Sequence, residues 1–123
     1  MNQAMERSVR QTRFAIDDLQ KRIAVLEATR EDLERQIRKL DESVPEDEIA
    51  PDAQKDGYVS YGSYAQSVIE RKKNLRSSLE DISAQEVDLV GDLQVALDAL
   101  DSFERIKARQ MASRAEKATR KRA

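Results

Sequence analysis

Residues 5–44 read MERSVRQTRFAIDDLQKRIAVLEATREDLERQIRKLDESV. One set of positions recurs through them in alternating steps of four and three: Met5, Val9, Thr12, Ile16, Leu19, Ile23, Leu26, Arg30, Leu33, Ile37, Leu40 and Val44. All but Thr12 and Arg30 are apolar, with mostly β-branched residues in one class of site and mostly Leu in the other. A repeat of this length places an apolar seam along one side of a helix, and such a seam requires a partner helix. The stretch is a coiled-coil strand.

The partner lies further along the same chain. Pro45 disfavours helical geometry at Val44, and Pro51 and Gly57 punctuate the acidic stretch that follows. Ser63 and Gln66 have the spacing of a capping box. A second heptad then runs Ala65, Val68, Lys72, Leu75, Leu79, Ile82, Glu86, Leu89, Leu93, Ala96, Leu100, Phe103. The expectation is an all-α chain folded as a single antiparallel coiled-coil hairpin, with a helix over 4–44, a loop over 45–62 and a longer helix over 63–118. The Ile/Val-then-Leu pattern of the first helix equally suits a parallel dimer, so the monomeric hairpin competes with that arrangement.

Composition agrees with long helices. Charged residues make up 37% of the 123 and aromatics 4%, which is too much charge and too few rings for a compact globular core. Cys and His are both absent, which removes disulfides, the usual zinc sites, thiol nucleophiles and imidazole bases. The longest apolar run, Ile23 to Leu26, is far short of a membrane span, and the first residues lack the apolar block of a signal peptide. A soluble, cytoplasmic protein is expected. On the outer face Asp17, Asp18, Glu31 and Glu34 each precede a base by four residues, pairs worth about 0.2–0.5 kcal/mol each.

With the turn centred near residue 52, facing residues carry numbers adding to about 105. Lys72 is then expected near Glu34, Glu86 near Lys21 or Arg22, Leu40 near Ala65, and Met5 near Leu100. Everything beyond about residue 102 overhangs the first helix in this register. That overhang is basic. Eight Lys or Arg and two Glu between Glu104 and Ala123 give about +6, leaving about −8 for the rest of a chain whose formal charge is −2. A basic end on an acidic shaft suits an anionic partner, and a solvated tail is the competing account. Nucleic acid is disfavoured, because no aromatic interleaves with these bases to stack on a nucleobase.

Two further features fall outside the seams. Val87, Val90 and Leu97 recur at helical spacing on flanking positions of the second heptad, interrupted by Gln94, and the same register brings Phe14 close to them. They read either as a broadened seam or as a docking face for a third helix or a second copy. Gly91, on the outer side of the same stretch, weakens the helix by up to about 1 kcal/mol relative to Ala. Tyr58, Tyr61 and Tyr64 gather three of the five aromatics at the hairpin tip, either as a plug closing the end or as an exposed recognition patch.

The stretch Tyr58-Val-Ser-Tyr61-Gly-Ser-Tyr64-Ala-Gln-Ser-Val68-Ile-Glu-Arg71-Lys-Lys-Asn74-Leu75 resembles the start of the second helix in the flagellar export protein FliJ family. Phe103-Glu-Arg-Ile106-Lys-Ala-Arg109-Gln110 is similar to that family's C-terminal segment. The resemblance implies a cytoplasmic coiled-coil component of the flagellar type III export apparatus, peripheral to the inner membrane at the flagellar base and similar to the shaft of rotary ATPases. Its implied partners are the hexameric export ATPase, the membrane-embedded export gate and export chaperones. The implied gate contact falls on Tyr64 and Val68, with Tyr58 and Tyr61 in the same patch, and the ATPase-facing end falls on Arg105, Lys107 and Arg109.

An enzyme is not expected. The chain has no Gly-rich phosphate loop, no base partner beside its Gly, Ser and Tyr residues, and no calcium-loop spacing in the acidic stretch. No cofactor, metal or small-molecule substrate is therefore assigned. The alternatives to an export stalk are a generic coiled-coil scaffold or adaptor, and a basic-tailed coiled coil associated with nucleic acid.

Overall fold

The structure is a computed structural model that describes residues 3–43 and 55–122; side chains are described from residue 62 in the second stretch. Both stretches are helical throughout, α1 over Gln3–Ser43 and α2 over Lys55–Arg122. The two helices pack against each other as an all-α hairpin.

α1 is helical over every described residue from Gln3 to Ser43, where a helix over 4–44 was expected. In its last described turn the Ser43 hydroxyl donates to the Leu40 carbonyl at 2.9 Å. α2 starts eight residues before the expected Ser63, so Gly57, Tyr58, Tyr61 and Gly62 lie on helix instead of loop. Nothing after Pro51 forbids helical geometry, and a lone Gly costs only about 1 kcal/mol, so the Ser63–Gln66 spacing falls inside a helix that is already running. The remainder of the expected loop, 45–54, lies outside the described residues.

The helices form two compact units. The first comprises residues 3–24 of α1 and 87–122 of α2. Leu19 and Leu89 are buried there, and Met5, Val9, Ile16, Ile23, Leu93, Leu100 and Phe103 are half-buried between the helices. Thr12 occupies a seam site without leaving its hydroxyl unmatched, because Oγ1 donates to the Ser8 carbonyl at 2.8 Å. Arg13 Nη2 meets Glu104 Oε1 at 3.9 Å across the helices.

The second unit comprises residues 25–43 of α1 and α2 up to Glu86. Val68 and Ile82 are buried, and Leu26, Leu33, Ile37, Leu40, Leu75 and Leu79 are half-buried around them. Arg30 pairs with Glu86 and Asp41 with Lys72, so α1 numbers rise as α2 numbers fall, and the strands of this seam are antiparallel. Every described residue of both sequence heptads is buried or half-buried. Full burial of one such aliphatic side chain contributes about 1.5–3 kcal/mol, and the seam is the source of the fold's stability.

The register differs from the one expected. Lys72 meets Asp41 where Glu34 was expected, and Glu86 meets Arg30 where Lys21 or Arg22 was expected. Each contact lies about 8–12 residues further along α2 than a turn centred on 52 requires, which is about three helical turns. The heptad tolerates this displacement, because apolar sites recur every three or four residues and only the seam charges distinguish one alignment from another. Leu40 is therefore not level with Ala65, nor Met5 with Leu100.

Candidate functional site

The residues at the basic end divide into two groups. The Arg13–Glu104 contact sets residue 104 beside α1, so the first described residue of α1, Gln3, comes level with about residue 114. Arg105, Lys107 and Arg109 thus flank a two-helix stem, not the overhang where the sequence reading put them. The part of α2 beyond the described start of α1 carries Arg114, Lys117, Arg120, Lys121 and Arg122. Every residue from Glu104 to Arg122 is exposed. Past Phe103 the seam positions are taken by Lys107, Gln110, Arg114 and Lys117, polar residues that stay exposed both beside α1 and beyond it. Arg105 Nη2 reaches Asp101 Oδ2 at 2.9 Å and Arg120 reaches Glu116 at 3.9 Å, while α1 adds exposed Arg7 and Arg10 to the same unit. These two arginines went unnoticed in the sequence because the expected register placed them level with the acidic part of α2.

The tyrosine region lies in the second unit. Tyr58 and Tyr61 are on helical backbone, but their side chains are outside the described residues. Tyr64 is 49% exposed, whereas Val68, one turn further on, is 5% exposed and belongs to the seam. The two residues named by the resemblance are thus separated by burial, one presented to solvent and the other packed. Ile69 is 58% exposed beside them, an outward aliphatic residue that its flanking heptad position could have revealed.

Of the third set, Val87 is 71% exposed, Val90 52%, Leu97 39% and Phe14 75%. They do not broaden the seam. Gln94 interrupts the α2 strip, but its amide Nε2 donates along the helix to Asp98 Oδ1 at 2.9 Å. Phe14 is displaced from the strip: Arg13 lies beside Glu104, so Phe14 is about twelve residues, or about 18 Å, from where it would meet Val90. On the other flank of the same unit Ala15, Leu19, Val95, Ala96 and Ala99 line a shallow open groove of about 450 Å³.

Two ion pairs perturb titration. The Lys72 ammonium, hydrogen-bonded to Asp41, holds that carboxyl below its ordinary range, and the Asp17 carboxylate hydrogen-bonded to Lys21 raises that ammonium's pKa. The Asp17–Lys21 pair is exposed and of modest energy, whereas Lys72 is half-buried at its seam position. Among the described residues no cluster of three or more His, Cys, Asp or Glu is arranged to hold a metal ion, and no helix is long and apolar enough to cross a membrane. The arrangement offers charged and apolar helix surfaces, which is the chemistry of protein contact. Comparison with protein-family models, curated proteins and solved structures finds no match to this chain.

Proposed function

We propose that this chain is a coiled-coil stalk that presents its basic end to an acidic protein surface, and that it serves in this way as a component of the bacterial flagellar type III export apparatus. The observation that carries the stalk reading is the basic segment itself. From Glu104 to Arg122, α2 is helical and exposed at every residue, and eight of those residues are Lys or Arg. A helix held by a packed stem brings a dense charge to a partner with little ordering left to do.

The flagellar assignment rests on the resemblance of the 58–75 and 103–110 stretches to the FliJ family. In that reading the hexameric export ATPase receives the basic end, and the export gate is met by Tyr64, with chaperones as further partners. Tyr64 suits such a contact because an exposed ring at a helix surface can anchor an interface.

The test is a titration of purified export ATPase with the wild-type chain and with Arg105→Glu, Lys107→Glu, Arg109→Glu combined, at low and at high salt. Wild-type binding is expected to weaken as the Debye length falls from about 10 Å at 0.1 M to about 3 Å at 1 M, and the reversed chain to bind weakly at both. Equal affinities in all four conditions would remove the basic end from the contact.

A further inference from the structure

α2 carries a second repeat beside its seam. On the same three-and-four spacing run Val87, Val90, Gln94, Leu97, Asp101, Glu104, Ala108, Met111 and Ala115, six apolar sites interrupted by Gln94 and, at the centre, by Asp101 and Glu104. All six are exposed: Val87 is 71% exposed and Met111 60%. A helix with two such faces uses one for α1 and leaves the other for a second helix.

The charge along this stretch of α2, counted over all its faces, points to the occupant. From Val87 to Phe103 there are four Asp and no Lys or Arg, while from Glu104 to Arg122 there are eight Lys or Arg and two Glu. The sign reverses at the middle of the repeat. A parallel copy would set acid on acid and base on base. An antiparallel copy sets the basic half of each chain on the acidic half of the other, twice over, about a two-fold axis near Phe103. In that alignment Val90 comes level with Ala115 and Leu97 with Ala108, and Asp98 comes within a turn of Arg109. At the axis this alignment sets Asp101 level with Glu104 of the other copy, and each of these acids has a cation within ion-pair reach in its own chain, Arg105 at 2.9 Å and Arg13 at 3.9 Å.

We infer that this face is a self-association surface, on which a second copy of the chain docks α2 against α2 in antiparallel orientation. The inference is independent of the export assignment and concerns the isolated chain. The dimer covers part of the basic end, so it competes with any acidic partner for the same residues.

The absence of Cys from the chain makes the test clean. Val90→Cys and Ala115→Cys are made separately, at exposed sites where the hairpin's helicity by circular dichroism should be unchanged. Under mild oxidation each variant alone is expected to remain uncross-linked, and an equimolar mixture to form the disulfide-linked pair. Sedimentation of the wild-type chain should show its mass rising from one chain towards two with concentration, and falling back in 1 M salt. Cross-linking of Val90→Cys with itself would mean parallel pairing and overturn the proposal. An unlinked mixture, with single-chain mass up to about 1 mM, would overturn it too and leave the face to a different protein. Neither result depends on the ATPase titration.

Discussion

Arg30 and Glu86 meet inside the seam, Nε to Oε1 at 3.6 Å, and neither of those atoms has a hydrogen-bond partner among the described residues. A charge pair of this kind contributes less to stability than to alignment, since only one register brings the two signs together. It also bears on the alternative topology. In a parallel dimer joined through α1, Arg30 would face Arg30 of the second copy; in the hairpin it faces Glu86.

Removing one member of this pair is expected to cost more than removing both. Arg30→Leu or Glu86→Leu alone should lower stability by about 1–2 kcal/mol, because a partly covered charge loses its counterpart. The double Leu variant should match or exceed the wild type. Urea denaturation of all four chains checks the cycle, and equal losses that simply add would show the two residues to be uncoupled.

Seam and surface positions on α2 should separate sharply. Ile82 is 8% exposed, and Ile82→Ala is expected to cost about 2–4 kcal/mol. Val87 is 71% exposed, and Val87→Ala should stay within about 0.5 kcal/mol. Paired thermal melts at low protein concentration measure both.

Acid should weaken the second unit through Asp41. Its pKa is held below the ordinary 3.8 by the Lys72 hydrogen bond, so the contact stabilises the fold above that value and is lost as pH falls through the lowered one. Asp41→Asn should remove this part of the acid sensitivity, seen as a smaller fall in melting temperature between neutral pH and the acid limb. An identical acid limb in wild type and variant would show that the contact is not formed in solution.

Gly91 offers the opposite effect. A Cβ at this position meets nothing within 4 Å, and no described Gly has a positive φ. Gly91→Ala is therefore expected to raise stability by about 0.5–1 kcal/mol, read as a higher urea midpoint with an unchanged slope.

The seam was legible residue by residue, because burial in a two-helix fold follows a single periodicity and the sequence displays it. The alignment was not. Locating the turn depended on where α2 begins, and the Ser63–Gln66 spacing is a local pattern that a continuing helix simply overrides. The error then propagated: Phe14 was brought beside Val90, and Arg105, Lys107 and Arg109 were placed past the end of α1. The charges at seam positions held the information needed, since Arg30 with Glu86 and Lys72 with Asp41 agree on one register, but Glu34, Lys21 and Arg22 supplied equally complementary decoys. For the candidate surfaces, the sequence set Val87, Val90 and Leu97 at flanking heptad positions and left open whether they broaden the seam; their exposure decides against that. Val68 shows the limit of carrying a role across by resemblance, for its own heptad places it inside.

The uncovered end of α2 has one more consequence. A free peptide of that length must first nucleate a helical turn, an unfavourable step with a statistical weight of about 10⁻³. Here the packed stem has already supplied the nucleus, so the last turns wind or unwind only by propagation, one residue at a time, near balance. Each residue added extends the tip by about 1.5 Å. The reach of the cationic segment therefore depends on how many of these residues are wound, and their unwinding would disturb no seam residue.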